Sequence, residues 1–216
     1  MTDETEKPIV SFLLDETGSM ESVRDKTISG FNEYIATLRT NDTPTLLRLM
    51  TFNTEEFNVV YNFEEIQSVA GLAKESYRPR ELTNLYDAIA RLVHDTEDYL
   101  KGMSPAPRVM CTIMTDGEEN SSSEYNRAAI FKLITDKEKE GWAFAFLGAN
   151  QDAWAACEAI VIHRRNSANY QAGAPDLALQ STAVATSRWM KRRRRAGKIE
   201  EFFVEEDLVK IKGTGL

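Results

Sequence analysis

Histidine and cysteine are nearly absent, two of each in 216 residues. Cys111 and Cys157 lie far apart inside apolar stretches. Neither has the close paired spacing that frames zinc or a redox dithiol, so both are expected to be reduced, buried small side chains. His94 and His163 stand alone, without a ligand partner or a serine or cysteine context; this removes Ser-His-Asp and Cys-His hydrolysis and reads both as structural or surface residues. No apolar run approaches the ~20 residues of a membrane helix. The polar, acidic start from Met1 to Lys7 lacks the basic and apolar regions of a leader, so a cytoplasmic location is expected. Basic residues are also short: 26 against 34 acids give a net charge of −8, which disfavours general attraction to phosphate backbones.

What remains is the composition of an ordinary globular domain, 42% hydrophobic and 28% charged. Ile9 to Leu14 is a nearly continuous apolar run, broken by Ser11, the pattern of a strand buried on both faces. It ends at Asp15, and Val23, Ile28, Phe31, Ile35 and Leu38 then follow at helical period. Leu46 to Phe52 reads as a second strand, with Phe57 to Phe63 as its antiparallel hairpin partner. Leu85, Ala88, Ile89, Leu92, Val93, Tyr99 and Leu100 share one helix face, with Thr83 at the expected N-cap and Gly102 and Pro105 at the stop. Arg108 to Met114 is a further strand, closed by Thr115-Asp116-Gly117. Ser121 and Glu124 have capping-box spacing ahead of a helix with Ile130, Leu133 and Ile134. Trp142 to Leu147 is another strand, followed by a short helix over about 153–159 and a last strand near Val161-Ile162-His163. Alternating strands and helices imply an α/β, doubly wound, mostly parallel sheet covered by helices on both faces, with one antiparallel edge strand. Residues 8–170 form this domain; 171–216 form a helical, basic extension, packed on it or projecting from it.

Ligands of doubly wound sheets sit at the carboxyl ends of strands where the strand order reverses. Asp15 and Asp116 each follow a buried strand and each precede a glycine, so both carboxylates are expected on one edge. Thr17 and Ser19 add two hydroxyls beyond Asp15, and Thr83 adds a third at the mouth of a helix. Two carboxylates and three hydroxyls suit a hard divalent cation such as Mg²⁺, which takes oxygen ligands and keeps waters. Uncharged hydroxyls leave the ion able to accept one more anionic oxygen from outside.

This pattern resembles the metal-ion-dependent adhesion site of von Willebrand factor type A domains, a family that includes integrin I domains and intracellular bacterial and phage proteins. The family's Asp-x-Ser-x-Ser motif appears as Asp15-Glu16-Thr17-Gly18-Ser19, its lone threonine as Thr83, and its second aspartate as Asp116 in Thr115-Asp116-Gly117. The likeness runs over about residues 8 to 165, and residues 146–153 also resemble a segment of stand-alone bacterial and phage members. It implies a metal held by Asp15, Thr17, Ser19, Thr83 and Asp116, Mg²⁺ with Mn²⁺ or Ca²⁺ as alternatives. It further implies a protein partner bound through a carboxylate at that metal, and no catalysis. A fold-stabilising metal in an assembly protein is a second reading. A haloacid dehalogenase-like phosphotransferase is a third, and Thr17 stands where that chemistry needs its acid.

Glu16, Glu118 and Glu119 are read as a solvated acidic rim around the edge, and Asn150-Gln151 as neighbours able to hydrogen-bond a partner. Trp142 and Trp154 are read as core. Lys191 to Arg195 is the one basic cluster; the end of a helix favours cations, and the acidic residues at 200, 201, 205 and 206 offer pairing, ahead of nucleic acid as a partner.

Overall fold

A computed structural model describes residues 7–117, 119–149, 166–191 and 201–212. Six strands form one sheet in the order β3-β2-β1-β4-β5-β6. They are β1 (Ile9–Asp15), β2 (Leu46–Phe52), β3 (Phe57–Glu65), β4 (Val109–Thr115), β5 (Ala143–Gly148) and β6 (Ser167–Asn169). All pairings are parallel except β2 with β3, the hairpin at one edge. β1 and β4 are buried along their whole length. Alternation along β1 explains why its run is almost wholly apolar: Val10, Phe12 and Leu14 enter one core and Ile9 and Leu13 the other, while the buried Ser11 hydroxyl meets Thr96 Oγ1 at 2.9 Å.

Helices α1 (Arg24–Arg39), α2 (Leu85–Leu100), α3 (Arg127–Lys139) and α4 (Pro175–Lys191) cover the two faces, and a short α5 (Glu205–Ile211) follows. Phe31, Tyr34, Ile35 and Leu38 of α1 pack with Ala178, Leu179 and Ala183 of α4 on the first core. Leu85, Ala88, Ile89, Leu92 and Val93 of α2 pack with Ile130 and Ile134 of α3 on the second. The approach of α1 to α4 depends on Gly30, where a Cβ would lie 2.7 Å from the Asp176 Cα. The described residues beyond 170 join the first core: Phe202, Phe203 and Ile211 are buried there, and Arg188 grips Asp207 through bonds of 2.9 Å from both guanidinium Nη atoms.

Three local expectations change. The N-cap of α2 is Asn84 rather than Thr83, and it makes no side-chain cap bond. α3 begins at Arg127, where Asn126 caps the Ala129 amide at 3.0 Å; Ser121 and Glu124 stay in a loop because their amides are drawn to Glu119 and Asp87. The segment between Thr17 and α1 is a 3₁₀ turn, Gly18–Val23. The helix expected over 153–159, the strand at Val161–His163, Asn150-Gln151, Glu118, Trp154, Cys157 and Arg192–Arg195 lie outside the described residues. Among the described residues no helix is long and apolar enough to cross a membrane.

Candidate metal centre

β1 and β4 are adjacent and parallel, and between them the chain switches from building the sheet toward β2 to building it toward β5. The loops after β1 and β4 therefore open at one edge, at the switch point. Asp15 ends β1 fully buried. Its Oδ1 accepts the Thr17 amide at 2.8 Å and its Oδ2 accepts the Thr115 hydroxyl at 2.5 Å. The Tyr77 hydroxyl donates to the Asp15 carbonyl at 2.7 Å, fixing the strand end from a residue 62 positions away. Burial pushes the Asp15 carboxyl up to about 6; the Thr115 and Thr17 bonds oppose the rise, and the negative charge of Asp116 adds to it. Burial also raises Asp116, against the bond it accepts from Ser19.

Four of the five residues form a direct chain of contacts. Thr17 Oγ1 lies 3.1 Å from Ser19 Oγ, and Ser19 Oγ donates to Asp116 Oδ1 at 2.5 Å. Thr83 joins through the next residue: a Cβ on Gly117 would lie 2.6 Å from Thr83 Oγ1, so the hydroxyl occupies the space that glycine leaves. Since Asn84 and not Thr83 begins the helix, the capping explanation of Thr83 falls away. The main chain of Thr83 is tied to the same loop, its amide donating to Asn120 Oδ1 at 3.3 Å and its carbonyl accepting the Asn120 amide at 3.2 Å.

The acidic rim needs correction. Glu16 is 5% exposed; its carboxylate accepts the Thr51 hydroxyl at 2.5 Å and also the Arg78 amide. Glu119 accepts the amides of Tyr86, Ser121 and Ser122 and the Ser122 hydroxyl. Both carboxylates are engaged with donors, Glu16 buried and Glu119 half-buried. His94 is an exposed surface residue bonded to Glu97 and Tyr125, and Trp142 stacks on Phe144.

Sequence reasoning missed Thr115, Tyr77, Asp87, Glu119 and Asn120 as supports of this edge. Thr115 was legible as a hydroxyl beside Asp116. Tyr77 lies in an irregular loop with no periodicity to mark it.

The donor set is entirely oxygen. Among the described residues there is no group of three or more His, Cys, Asp or Glu side chains that could hold a metal. A cation at this edge would rest on hydroxyls as much as on carboxylates, a set that fits a hard ion and excludes a soft one.

No family model and no curated protein matches the chain. Solved structures do. One is a von Willebrand factor type A protein from Catenulispora acidiphila, at 17% identity and TM-score 0.58, covering 86% of this chain and 43% of that one. The fold is that of a von Willebrand factor type A domain. A second is proximal thread matrix protein 1 from the mussel byssus with a zinc-occupied MIDAS motif, at 13% identity and TM-score 0.61, covering 83% of this chain and 48% of that one. A third is the manganese-loaded TRAP protein of Plasmodium vivax, at 16% identity and TM-score 0.55, covering 82% of this chain and 74% of that one. The chain thus spans under half the length of the first two. At these identities the likeness establishes the fold; ligand chemistry has to be argued from the residues of this chain.

Proposed function

We propose that this chain is a protein-binding module that holds one Mg²⁺, with Mn²⁺ or Ca²⁺ as substitutes, through Asp15, Thr17, Ser19, Thr83 and Asp116. The observation that carries the reading is the meeting of three hydroxyls and two carboxylates, from loops far apart in sequence, at the switch point of this fold. When bound, the ion supplies an electron-poor position able to accept an anionic oxygen, for which an Asp or Glu side chain of a partner is the fitting donor. The chain's own residues do the rest. Thr115 and the Thr17 amide orient the Asp15 carboxylate, Ser19 orients Asp116, and the buried Glu16 and the amide-bound Glu119 leave the approach less acidic than the sequence suggests.

The neighbour of Asp15 supports binding rather than turnover. The side chain two residues beyond Asp15 is a hydroxyl held against Ser19, and no acid stands there to protonate a leaving group. Titration calorimetry tests the reading: about one Mg²⁺ per chain is expected for the wild type, and none for Asp15→Ala. Unchanged Mg²⁺ affinity in that variant, with circular dichroism intact, overturns the assignment.

A further inference from the structure

The helix that follows Thr83 begins without a side-chain cap of its own. Asn84 makes no side-chain bond to the first turn of α2, so the amides of Tyr86 and Asp87 need acceptors from elsewhere. The loop after Asp116 provides them. Glu119 Oε2 accepts the Tyr86 amide at 2.8 Å, and Ser122 Oγ lies 3.1 Å from the same amide and 3.2 Å from that of Asp87. Glu119 also holds its own loop in shape, taking the amides of Ser121 and Ser122 at 3.1 and 2.7 Å.

The exchange is returned. Asp87, in the first turn of α2, accepts the amides of Ser123, Glu124 and Tyr125 at 2.8, 3.2 and 2.8 Å. Each segment thus supplies a carboxylate to the other's amides, a capping box divided between two parts of the chain, with Glu119 and Tyr86 33 positions apart. The clasp lies three residues beyond Thr83 on one side and three beyond Asp116 on the other.

We infer that Glu119 and Asp87 are positioning residues for the metal, which preassemble the Thr83–Asp116 half of the site by locking the start of α2 to the loop after β4. The inference rests on the metal reading above. It explains why Thr83 meets Gly117 so closely, and why Glu119 serves backbone amides in a loop whose sequence looks solvated. An ion that demands a fixed set of oxygens at short range gains from a site that needs no rearrangement on binding.

The experiment uses Glu119→Ala, with Ser122→Ala as a milder variant that removes only part of the clasp and keeps the test open should Glu119→Ala fail to fold. Calorimetry with MgCl₂ and MnCl₂ reads affinity, and amide hydrogen exchange at Tyr86 in chelator reads the clasp without metal. Expected are a loss of about tenfold to a hundredfold in affinity for Glu119→Ala, a smaller loss for Ser122→Ala, and faster Tyr86 exchange in both. In the Thr83→Ala background Glu119→Ala should cost less than in the wild type, because the part of its effect that passes through Thr83 is already lost. Wild-type binding matched within twofold by a folded Glu119→Ala overturns this inference alone, as does a full loss on top of Thr83→Ala. A wild type that binds neither ion overturns the metal reading and this inference together.

Discussion

Adding one methyl group at Gly117 should separate the role of Thr83 in folding from its role in metal binding. In Gly117→Ala the new carbon would lie 2.6 Å from Thr83 Oγ1 and 3.5 Å from its Cβ and Cγ2. Only the oxygen contact is prohibitive, nearly 1 Å inside the ~3.5 Å optimum for non-bonded heavy atoms. Thr83 is β-branched and 3% exposed, so its hydroxyl has little room to yield. Turning the side chain off its rotamer costs about 0.5 to 1.5 kcal/mol, and moving the loop costs about 1 to 3 kcal/mol. Metal-free stability should therefore fall by about 1 to 3 kcal/mol. Either adjustment carries the hydroxyl away from the proposed ion. If affinity falls about tenfold, the stabilisation given by Mg²⁺ at a hundred times the wild-type Kd drops from about 2.7 to about 1.4 kcal/mol. Urea unfolding with chelator and with Mg²⁺ measures both quantities. The double variant Thr83→Ala/Gly117→Ala should recover metal-free stability, since the obstructing oxygen is gone, without recovering Mg²⁺ affinity. A Gly117→Ala protein with wild-type stability and wild-type Mg²⁺ response would refute the close packing of Thr83 on the Asp116 loop.

Glu138 of α3 is 4% exposed, and burial pushes its carboxyl from 4.5 up to about 7. A carboxyl raised in the folded state favours folding below pH ~4.5 and loses that contribution as pH rises through ~7. Glu138→Gln should thus be more stable than wild type at pH 8 by about 1 to 2 kcal/mol, after allowance for solvent screening. The gap should close by pH 4, and parallel pH profiles from urea titrations would contradict the burial argument. Arg188→Ala leaves the buried Asp207 carboxylate with the Val204 amide, at 2.9 Å, as its remaining partner shown here. Because Arg188 itself is partly solvated, the cost should be at most about 3 kcal/mol, the low end for breaking a buried pair. Hydrogen exchange in Glu205–Ile211 should accelerate, and unchanged protection there would show that Phe202 and Phe203 hold α5 without the ion pair.

Period and punctuation in the sequence determined the elements and their order. Runs such as Ile9–Leu14 and Val109–Met114 are apolar apart from Ser11 and Thr112, the pattern of a strand covered on both faces, and the hairpin at Phe57 was marked by Asn53-Thr54. The two aspartates were legible because each follows such a strand and the fold class has one edge where ligands bind. Caps and charged loops were misread, because a carboxylate near a helix start is described in sequence by its local spacing. Here Glu119 and Asp87 serve amides more than 30 residues away, so the local box of Ser121 and Glu124 was the wrong one and Thr83 was released from capping. Glu16 looked like surface for the same reason; only the pairing of β1 with β2 brings the Thr51 hydroxyl beneath it. Composition and period thus determined the sheet, its helices and the edge where the two aspartates meet, since these depend on which side chains avoid water along one segment. Which oxygens face a ligand and which satisfy backbone amides was decided by tertiary structure, because those bonds join segments whose separation along the chain carries no periodic signal.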